Sequence, residues 1–277
     1  MKLLFLDADG TLFHHEGYIP KSAIEACQQA QKNGHKICLA TGRQNMEIYS
    51  DLLKIDYDGR ITGAGAYVKA EGNLLYQENF SASQKQQLLD YFKEHQIPAL
   101  FESSNALFVS QSTLEQLEAI TKKACAGLDP VSYQKHGMVQ ILRNTKVVSN
   151  FSSCEFNKIT FLSSATPYQQ IAKDLGKDFD VIPATFEPLG KESGEVASLT
   201  ISKASGIHLL QDYWHVDKAD CIAIGDGFND ICMFDHVGTS IAMGNAALGV
   251  QKKADWVTDT LEQDGIQKAF KKLHVIE

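Results

Sequence analysis

The sequence predicts a doubly wound α/β protein with a second α+β unit inserted into it. Three observations carry this expectation. Strand, helix and strand patterns alternate at both ends of the 277-residue chain, the grammar of parallel crossovers. Between roughly residues 83 and 190 the pattern changes to helices mixed with hairpin-like strands. Several of the terminal strands also run into short segments of Asp, Thr and Gly, and open parallel sheets bind ligands just beyond their carboxyl ends. Residues 1–82 and 191–277 are therefore expected to form the core, and 83–190 the insert.

Taken in order, "KLLFLDADGTLF" (2–13) opens with the apolar run Leu3 to Leu6, a buried strand. Pro20 then suits a first helical turn, Ile24, Cys27 and Ala30 recur near helical spacing, and Gly34 stops the helix. "HKICLA" is a second strand, and "GRQNMEIYSDLLK", with Met46, Tyr49 and Leu53 at helical spacing, predicts a helix starting just after Thr41. In the insert, Leu88, Leu89 and Phe92 mark an amphipathic helix, "PALFES" and "NALFVS" a hairpin, and "TLEQLEAITKKACAG" another helix. "GMVQIL" and "KITFLS" read as strands, "YQQIAKDLG" as a helix, "DFDVIPAT" as a strand, and the turn-rich "EPLGKESGE" as a hinge. The last third alternates strand and helix again: "DCIAIGD", "NDICMFDHV", "TSIAMG", "NAALGVQKK", "ADWVT" and "EQDGIQKAFKKL".

The totals exclude several classes. Net charge is −8, with 26 basic against 34 acidic residues and no basic tract, so a nucleic-acid partner is not expected. No stretch approaches the ~20 apolar residues of a membrane span, and nothing resembles a signal peptide. A cytoplasmic location follows as an expectation, together with six reduced cysteines, which show no CxxC spacing.

Four stretches carry chemistry: "DADGT" (7–11), "ATGR" (40–43), "ISK" (201–203) and "GDGFND" (225–230). Asp7 and Asp9 suit a nucleophile and an acid/base pair in phosphate-ester chemistry, one attacking phosphorus and the other moving the proton. A calcium loop fails, because Leu12 and Tyr18 stand where its Gly and Glu belong. Thr41 and Gly42, at the expected helix start, offer a hydroxyl and amides to an anion. Lys203 offers a cation for phosphoryl oxygens. Asp226 and Asp230 add carboxylates that would repel Asp7 unless a cation intervened, and oxygen ligands of this kind suit Mg²⁺. His14 and His15 have no acidic partner at a metal-binding spacing and read as a flap beyond the first stretch.

In this order, "DADGT", "ATGR", "SK" and "GDGFND" resemble the four motifs of the haloacid dehalogenase-like superfamily. "IAMGNA" (241–246) and "ADWVTDTLEQDGI" (254–266) are similar to its Cof-type phosphatase branch. The resemblance covers essentially the whole chain. It implies a Rossmann-like core with an α+β cap that covers the site, and a Mg²⁺-dependent phosphatase acting through an aspartyl phosphate. By position it makes Asp7 the nucleophile and Asp9 the acid/base, with Thr41 and Lys203 holding the phosphoryl group. Gly42, Arg43 and Asn229 would lie against the substrate. Asp7, the Asp9 backbone carbonyl, Asp226 and, in support, Asp230 would serve the metal, and Asn245 would lie close by. Relatives often carry Asn where this chain has Ala64, and "GDN" where it has Gly227.

The expected substrate is a small phosphorylated metabolite, a sugar phosphate first and a phosphorylated cofactor second. Lys158 and Arg143 are cap candidates for contacting it. A monomer or weak homo-oligomer is expected. A phosphomutase and a catalytically silent binder of phosphorylated metabolites are the alternatives.

Overall fold

The computed structural model describes residues 1–184 and 186–277. The chain divides into two compact units: Met1–Arg43, Ile48–Gln77 and Ser202–Glu277 form unit one, Gln44–Glu47 and Glu78–Ile201 unit two. Along the chain, unit one begins with β1 (Leu3–Leu6), α1 (Lys21–Lys32), β2 (Lys36–Ala40), β3 (Gly59–Thr62), β4 (Tyr67–Ala70) and β5 (Asn73–Gln77). Unit two follows with α2 (Ala82–Glu94), β6 (Ala99–Glu102), β7 (Leu107–Val109), α3 (Gln111–Ala124), α4 (Pro130–Lys135), α5 (Gly137–Asn144) and β8 (Thr145–Val147). It continues through β9 (Lys158–Phe161), α6 (Tyr168–Leu175), β10 (Phe179–Pro183) and β11 (Gly194–Ser198). Unit one then resumes with α7 (Lys203–Trp214), β12 (Cys221–Gly225), α8 (Ile231–Phe234), β13 (Thr239–Ala242), α9 (Leu248–Gln251), β14 (Trp256–Val257) and α10 (Gly265–Lys272).

Among the described residues, the sheet of unit one runs β14-β13-β12-β1-β2-β3-β4-β5. From β14 to β3 neighbours are parallel; β4 and β5 are added antiparallel. The chain leaves β1 for β2 on one side and returns on its other side as β12, so the order reverses around β1. That reversal is the crevice where doubly wound sheets bind ligands. Register completes the placement: Leu6 stands beside both Leu39 and Ile224, which brings Asp7, Thr41 and Asp226 out at the same sheet edge.

The continuous apolar reading of β1 and β12 has its reason here, since both are buried on two faces. Leu4, Leu6, Ile222 and Ile224 pack with Ala23, Cys27, Ala30, Ala269 and Phe270 of α1 and α10. Leu3, Phe5, Cys221 and Ala223 pack with Ile207, Leu210, Met233 and Phe234 of α7 and α8.

Unit two has its own sheet, β10-β11-β9-β6-β7-β8 among the described residues, antiparallel except for β7 beside β8. An aromatic core of Phe80, Phe92, Phe101, Phe156, Phe161 and Phe179 fills one cluster. Leu100, Leu107, Val109, Leu117 and Met138 fill another.

The fold class matches the expectation from sequence, but several elements differ. "GMVQIL" is helix α5, not a strand. His136 caps it by accepting a hydrogen bond from Met138 N, and Met138, Val139, Ile141 and Leu142 form a helical face rather than an alternating one. The helix expected over 42–54 is absent as such. Two short 3₁₀ turns, Asn45–Glu47 and Ser50–Lys54, stand there, interrupted by the extended Tyr49 and by Ser50 at φ 54°. The stretch 187–195 holds a 3₁₀ turn, Glu187–Leu189, and leads into β11, which pairs with both β9 and β10. Unit two therefore takes in β11, its two segments being Gln44–Glu47 and Glu78–Ile201. The last residue of "DFDVIPAT", Thr185, lies outside the described residues; the strand spans Phe179–Pro183. All six cysteines are free thiols. Among the described residues, no helix is long and apolar enough to cross a membrane.

Candidate active site

Asp7 follows β1 directly and is 6% exposed, its amide bonded to Ile224 O at 3.0 Å. Lys203, 2% exposed, sends its Nζ to Asp7 Oδ1 and to Asp230 Oδ1, both at 2.6 Å. The sequence reading has Lys203 following a strand and opening the helix "KASGIHLLQDY", and Lys203 is the first residue of α7, whose start Ser202 caps by accepting a hydrogen bond from Ser205 N. The strand before it, β11, belongs to the sheet of unit two and not to the core sheet. Asp230 is wholly buried, and its Oδ2 accepts hydrogen bonds from the amides of Asp226 (3.0 Å) and Gly227 (2.9 Å). This makes Asp230 the brace of its own loop, with both oxygens engaged.

Asp226 completes the group. Its Oδ1 accepts from the Thr11 hydroxyl at 3.1 Å and its Oδ2 from Asn245 Nδ2 at 3.4 Å. Asp7, Asp226 and Asp230 each present an oxygen within 4.8 Å of the others. Gly10 makes that approach possible. Its φ is +78°, and a Cβ there would fall 2.2 Å from Asp226 Oδ2.

The electrostatics follow from burial. Desolvation first, then Asp230 and Asp226, raise the Asp7 carboxyl well above the ordinary range, while Lys203 opposes them. Asp226 is pushed up to about 6 by burial and by Asp230. Burial alone would lower Lys203, but Asp230 and Asp7 outweigh it and hold its ammonium protonated above the ordinary lysine range. One lysine thus faces more carboxylate charge than it can balance. A hard cation on the all-oxygen set fits that excess.

Asp9 is placed differently. Its side chain is 59% exposed and gripped by Arg43, Nε to Oδ2 at 2.8 Å and Nη2 to Oδ1 at 2.6 Å. The Asp9 carboxylate therefore stands outside the group formed by Asp7, Asp226 and Asp230. Thr41 is buried, its Oγ1 accepting from Arg43 N at 3.1 Å. With no α-helix behind it, the 41–43 turn is held from β3 and the segment after it: Thr41 N bonds Ile61 O, Gly63 N bonds Arg43 O, and Ala64 N bonds Thr41 O. Ala64 thus supports the turn through its backbone, at φ 56°, a conformation Asn adopts more easily. Gly227 likewise contributes its amide. A Cβ at Gly42 would meet nothing within 4 Å.

Asn229 is exposed, and among the described residues its side chain makes no hydrogen bond to this group. Asn245 is better placed, bonding Gly10 O at 2.8 Å as well as Asp226. Thr11 was missed although it lies within "DADGT". His14, which has no acidic residue at a metal-binding spacing in the sequence, meets Glu262 at 3.1 Å, a residue 248 positions away that local spacing does not reveal. In unit two, Lys158 is buried against Glu102 and Glu195, and Arg143 is exposed and donates to Gln134 Oε1.

Known proteins are similar to this chain over its whole length. YkrA of Bacillus subtilis (strain 168) is 27% identical over 285 residues, spanning 100% of this chain and 99% of its own. BT1666 from Bacteroides thetaiotaomicron, described among phosphatases of the HAD enzyme superfamily, is 28% identical with a TM-score of 0.78, over 100% of this chain and 96% of its own. BT4131, described as a HAD subclass IIB sugar phosphatase, is 25% identical with a TM-score of 0.77 over 100% of both chains. The sequence from residue 4 to 270 matches the family described as haloacid dehalogenase-like hydrolase, and the chain belongs to that family.

Proposed function

We propose that this phosphoric monoester hydrolase cleaves a small phosphorylated metabolite, a sugar phosphate first, through an aspartyl phosphate on Asp7 and with Mg²⁺. The observation that carries the reading is the buried Asp7 paired to Lys203 beside Asp226 and Asp230. An Asp7 oxygen attacks phosphorus, and the bond from phosphorus to the ester oxygen breaks. Asp9 protonates the departing alcohol oxygen. Asp9 then takes a proton from water as that water attacks phosphorus; the bond to Asp7 breaks, phosphate leaves, and Asp7 is restored. Lys203, Thr41, Gly42 and Arg43 hold the phosphoryl oxygens.

Mg²⁺, when bound, screens the carboxylates from the phosphate and polarises a phosphoryl oxygen. Asp7, Asp226 and the Asp9 backbone carbonyl would hold it. Asp230, with both oxygens engaged, would act in support through Asp226 and Gly227. The sugar-phosphatase description of BT4131 supports the substrate class. The same reading places the protein in the cytoplasm, as a monomer or weak homo-oligomer.

The test is phosphate release from a panel of phosphorylated metabolites, with Mg²⁺ and with chelator, for wild type and Asp7→Asn. Metal-dependent release lost in a folded Asp7→Asn variant is the expected result. Release that survives the substitution would overturn the mechanism.

A further inference from the structure

Asp9, the acid/base of the proposed mechanism, stands on a loop built as two consecutive turns. The amides of Thr11, Leu12 and Phe13 all bond Ala8 O, and Gly10 N bonds Phe13 O at 3.0 Å. His14 N then bonds Tyr18 O and Gly17 N bonds His14 O, each at 2.8 Å. His14 is the junction of the two turns.

The His14 ring is buried and held at both nitrogens. Its Nδ1 accepts from Glu16 N at 3.2 Å. A backbone amide can only donate, so Nδ1 carries no proton there, and the ring hydrogen lies on Nε2, which donates to Glu262 Oε1 at 3.1 Å. The rings of His15 and Tyr18 pack against it, with centroids 4.0 and 4.6 Å away. Glu262 belongs to the 3₁₀ turn Leu261–Gln263. From that turn, Leu261 N bonds Asn245 Oδ1 at 3.3 Å, and Asn245 Nδ2 bonds Gly10 O at 2.8 Å. The Asp9 loop is therefore tied down at two points, at Gly10 through Asn245 and at His14 through Glu262. Both ties border a cavity of about 230 Å³ that Asp9 also lines, so a loop released from either has room to shift.

We propose that His14 and Glu262 are positioning residues for Asp9. Phe13, next to His14, lies 4.9 Å from the Arg43 guanidinium, and Arg43 grips the Asp9 carboxylate. Cutting the tie at His14 frees Phe13, then the Arg43 fork, then the aim of the acid. The Asn245 tie holds the other end of the turn, beside Asp226. The inference rests on the phosphatase reading, since it takes Asp9 as the acid/base.

The test is kcat and KM for an alkyl and an aryl phosphate in wild type, Asp7→Asn, His14→Ala, Glu262→Ala, Glu262→Gln and the His14→Ala/Glu262→Ala double variant. His14→Ala and Glu262→Ala are each expected to lower kcat for the alkyl phosphate by about tenfold and for the aryl phosphate by less than about threefold, with KM nearly unchanged. The double variant should cost no more than either single one, because one contact is removed only once. Glu262→Gln should recover most of the loss, since an amide oxygen also accepts from Nε2–H. A merely structural role would slow both substrates alike. The Glu262 side chain is 55% exposed, so its variants spare the core and decide the matter even where His14→Ala fails to fold. Nitrogen NMR of the His14 ring in wild type should show the Nε2–H tautomer, a readout that needs no activity. Equal losses on both substrates, losses that add in the double variant, no recovery in Glu262→Gln, or an Nδ1–H tautomer would overturn the proposal. If metal-dependent release is lost in Asp7→Asn, the phosphatase reading survives that failure. Release that survives Asp7→Asn, or none from wild type, would overturn both.

Discussion

The Arg43 guanidinium holds the Asp9 carboxylate with two hydrogen bonds, at 2.8 and 2.6 Å, while its carbon lies 4.9 Å from the Phe13 ring centroid and 5.1 Å from that of Tyr49. Phe13 and Tyr49 meet edge to face at 6.2 Å. The better-buried arginine therefore anchors the more exposed aspartate, and the aromatic rings fix the plane of the fork. Lysine keeps the charge but loses both the fork and the stacking. Arg43→Ala is expected to lower kcat/KM by ~10²-fold for an alkyl phosphate, the cost of a misplaced acid, and Arg43→Lys to recover only part of it. An aryl phosphate, whose leaving group needs little protonation, should lose less. Equal losses for both substrates would mean that Arg43 acts on the phosphoryl group alone.

Lys203 is the hinge of the charge balance, since its ammonium lies 2.6 Å from both Asp7 and Asp230. Lys203→Met leaves two buried carboxylates unpaired. Removing one partner of a buried ion pair costs about 3–5 kcal/mol, so thermal unfolding should shift down clearly. The loss should shrink in acid, because burial already raises the Asp7 carboxyl and a proton can replace the lost cation. A loss of the same size at about pH 5 and about pH 8 would count against this account.

Much of the site was legible because its chemistry lies at strand ends. Asp7, Thr41 and Asp226 each follow a short apolar run, and once β1, β2 and β12 are neighbours, their register brings the three together. What was hidden depends on distance or on backbone geometry. Glu262 reaches His14 across 248 residues, and no periodicity records such a contact. Met46, Tyr49 and Leu53 keep helical spacing, yet Ser50 turns left-handed between them, so tertiary packing overrode the pattern. "GMVQIL" illustrates the reverse error. Six residues with apolar positions fit both a strand and one helical face, and His136 as a cap decides for the helix.

Gly10 offers a test of how tightly the first and last motifs interlock. A methyl group there would fall 2.2 Å from Asp226 Oδ2 and 2.7 Å from its Cγ, on a backbone at φ +78°. Left-handed strain for a non-glycine residue is of order 1 kcal/mol or more, and the displaced carboxylate adds to it. Gly10→Ala is therefore expected to weaken Mg²⁺ affinity and turnover together while the variant still folds. Calorimetric Mg²⁺ titration checks this. Unchanged affinity would show that Asp226 has room to retreat without leaving the metal set.

The carboxylates also set a pH dependence whose sign is fixed by their direction of shift. Asp226 is raised from 3.8 to about 6 in the folded chain, and Asp7 moves the same way. Between those values the folded state binds more protons than the unfolded state, so its stability falls as pH rises. In chelator, this contribution is complete below the unfolded value and is lost as pH climbs through about 6. Mg²⁺ competes with those protons, so the stabilisation it gives should grow over the same window. Thermal unfolding from about pH 4.5 to about pH 8, with Mg²⁺ and with chelator, reads both curves. They should converge in acid and separate above about 6, and Asp226→Asn should flatten the chelator curve and remove most of the Mg²⁺ gain. Curves that stay parallel across the window would mean that these carboxylates are not the groups linking proton and metal to folding.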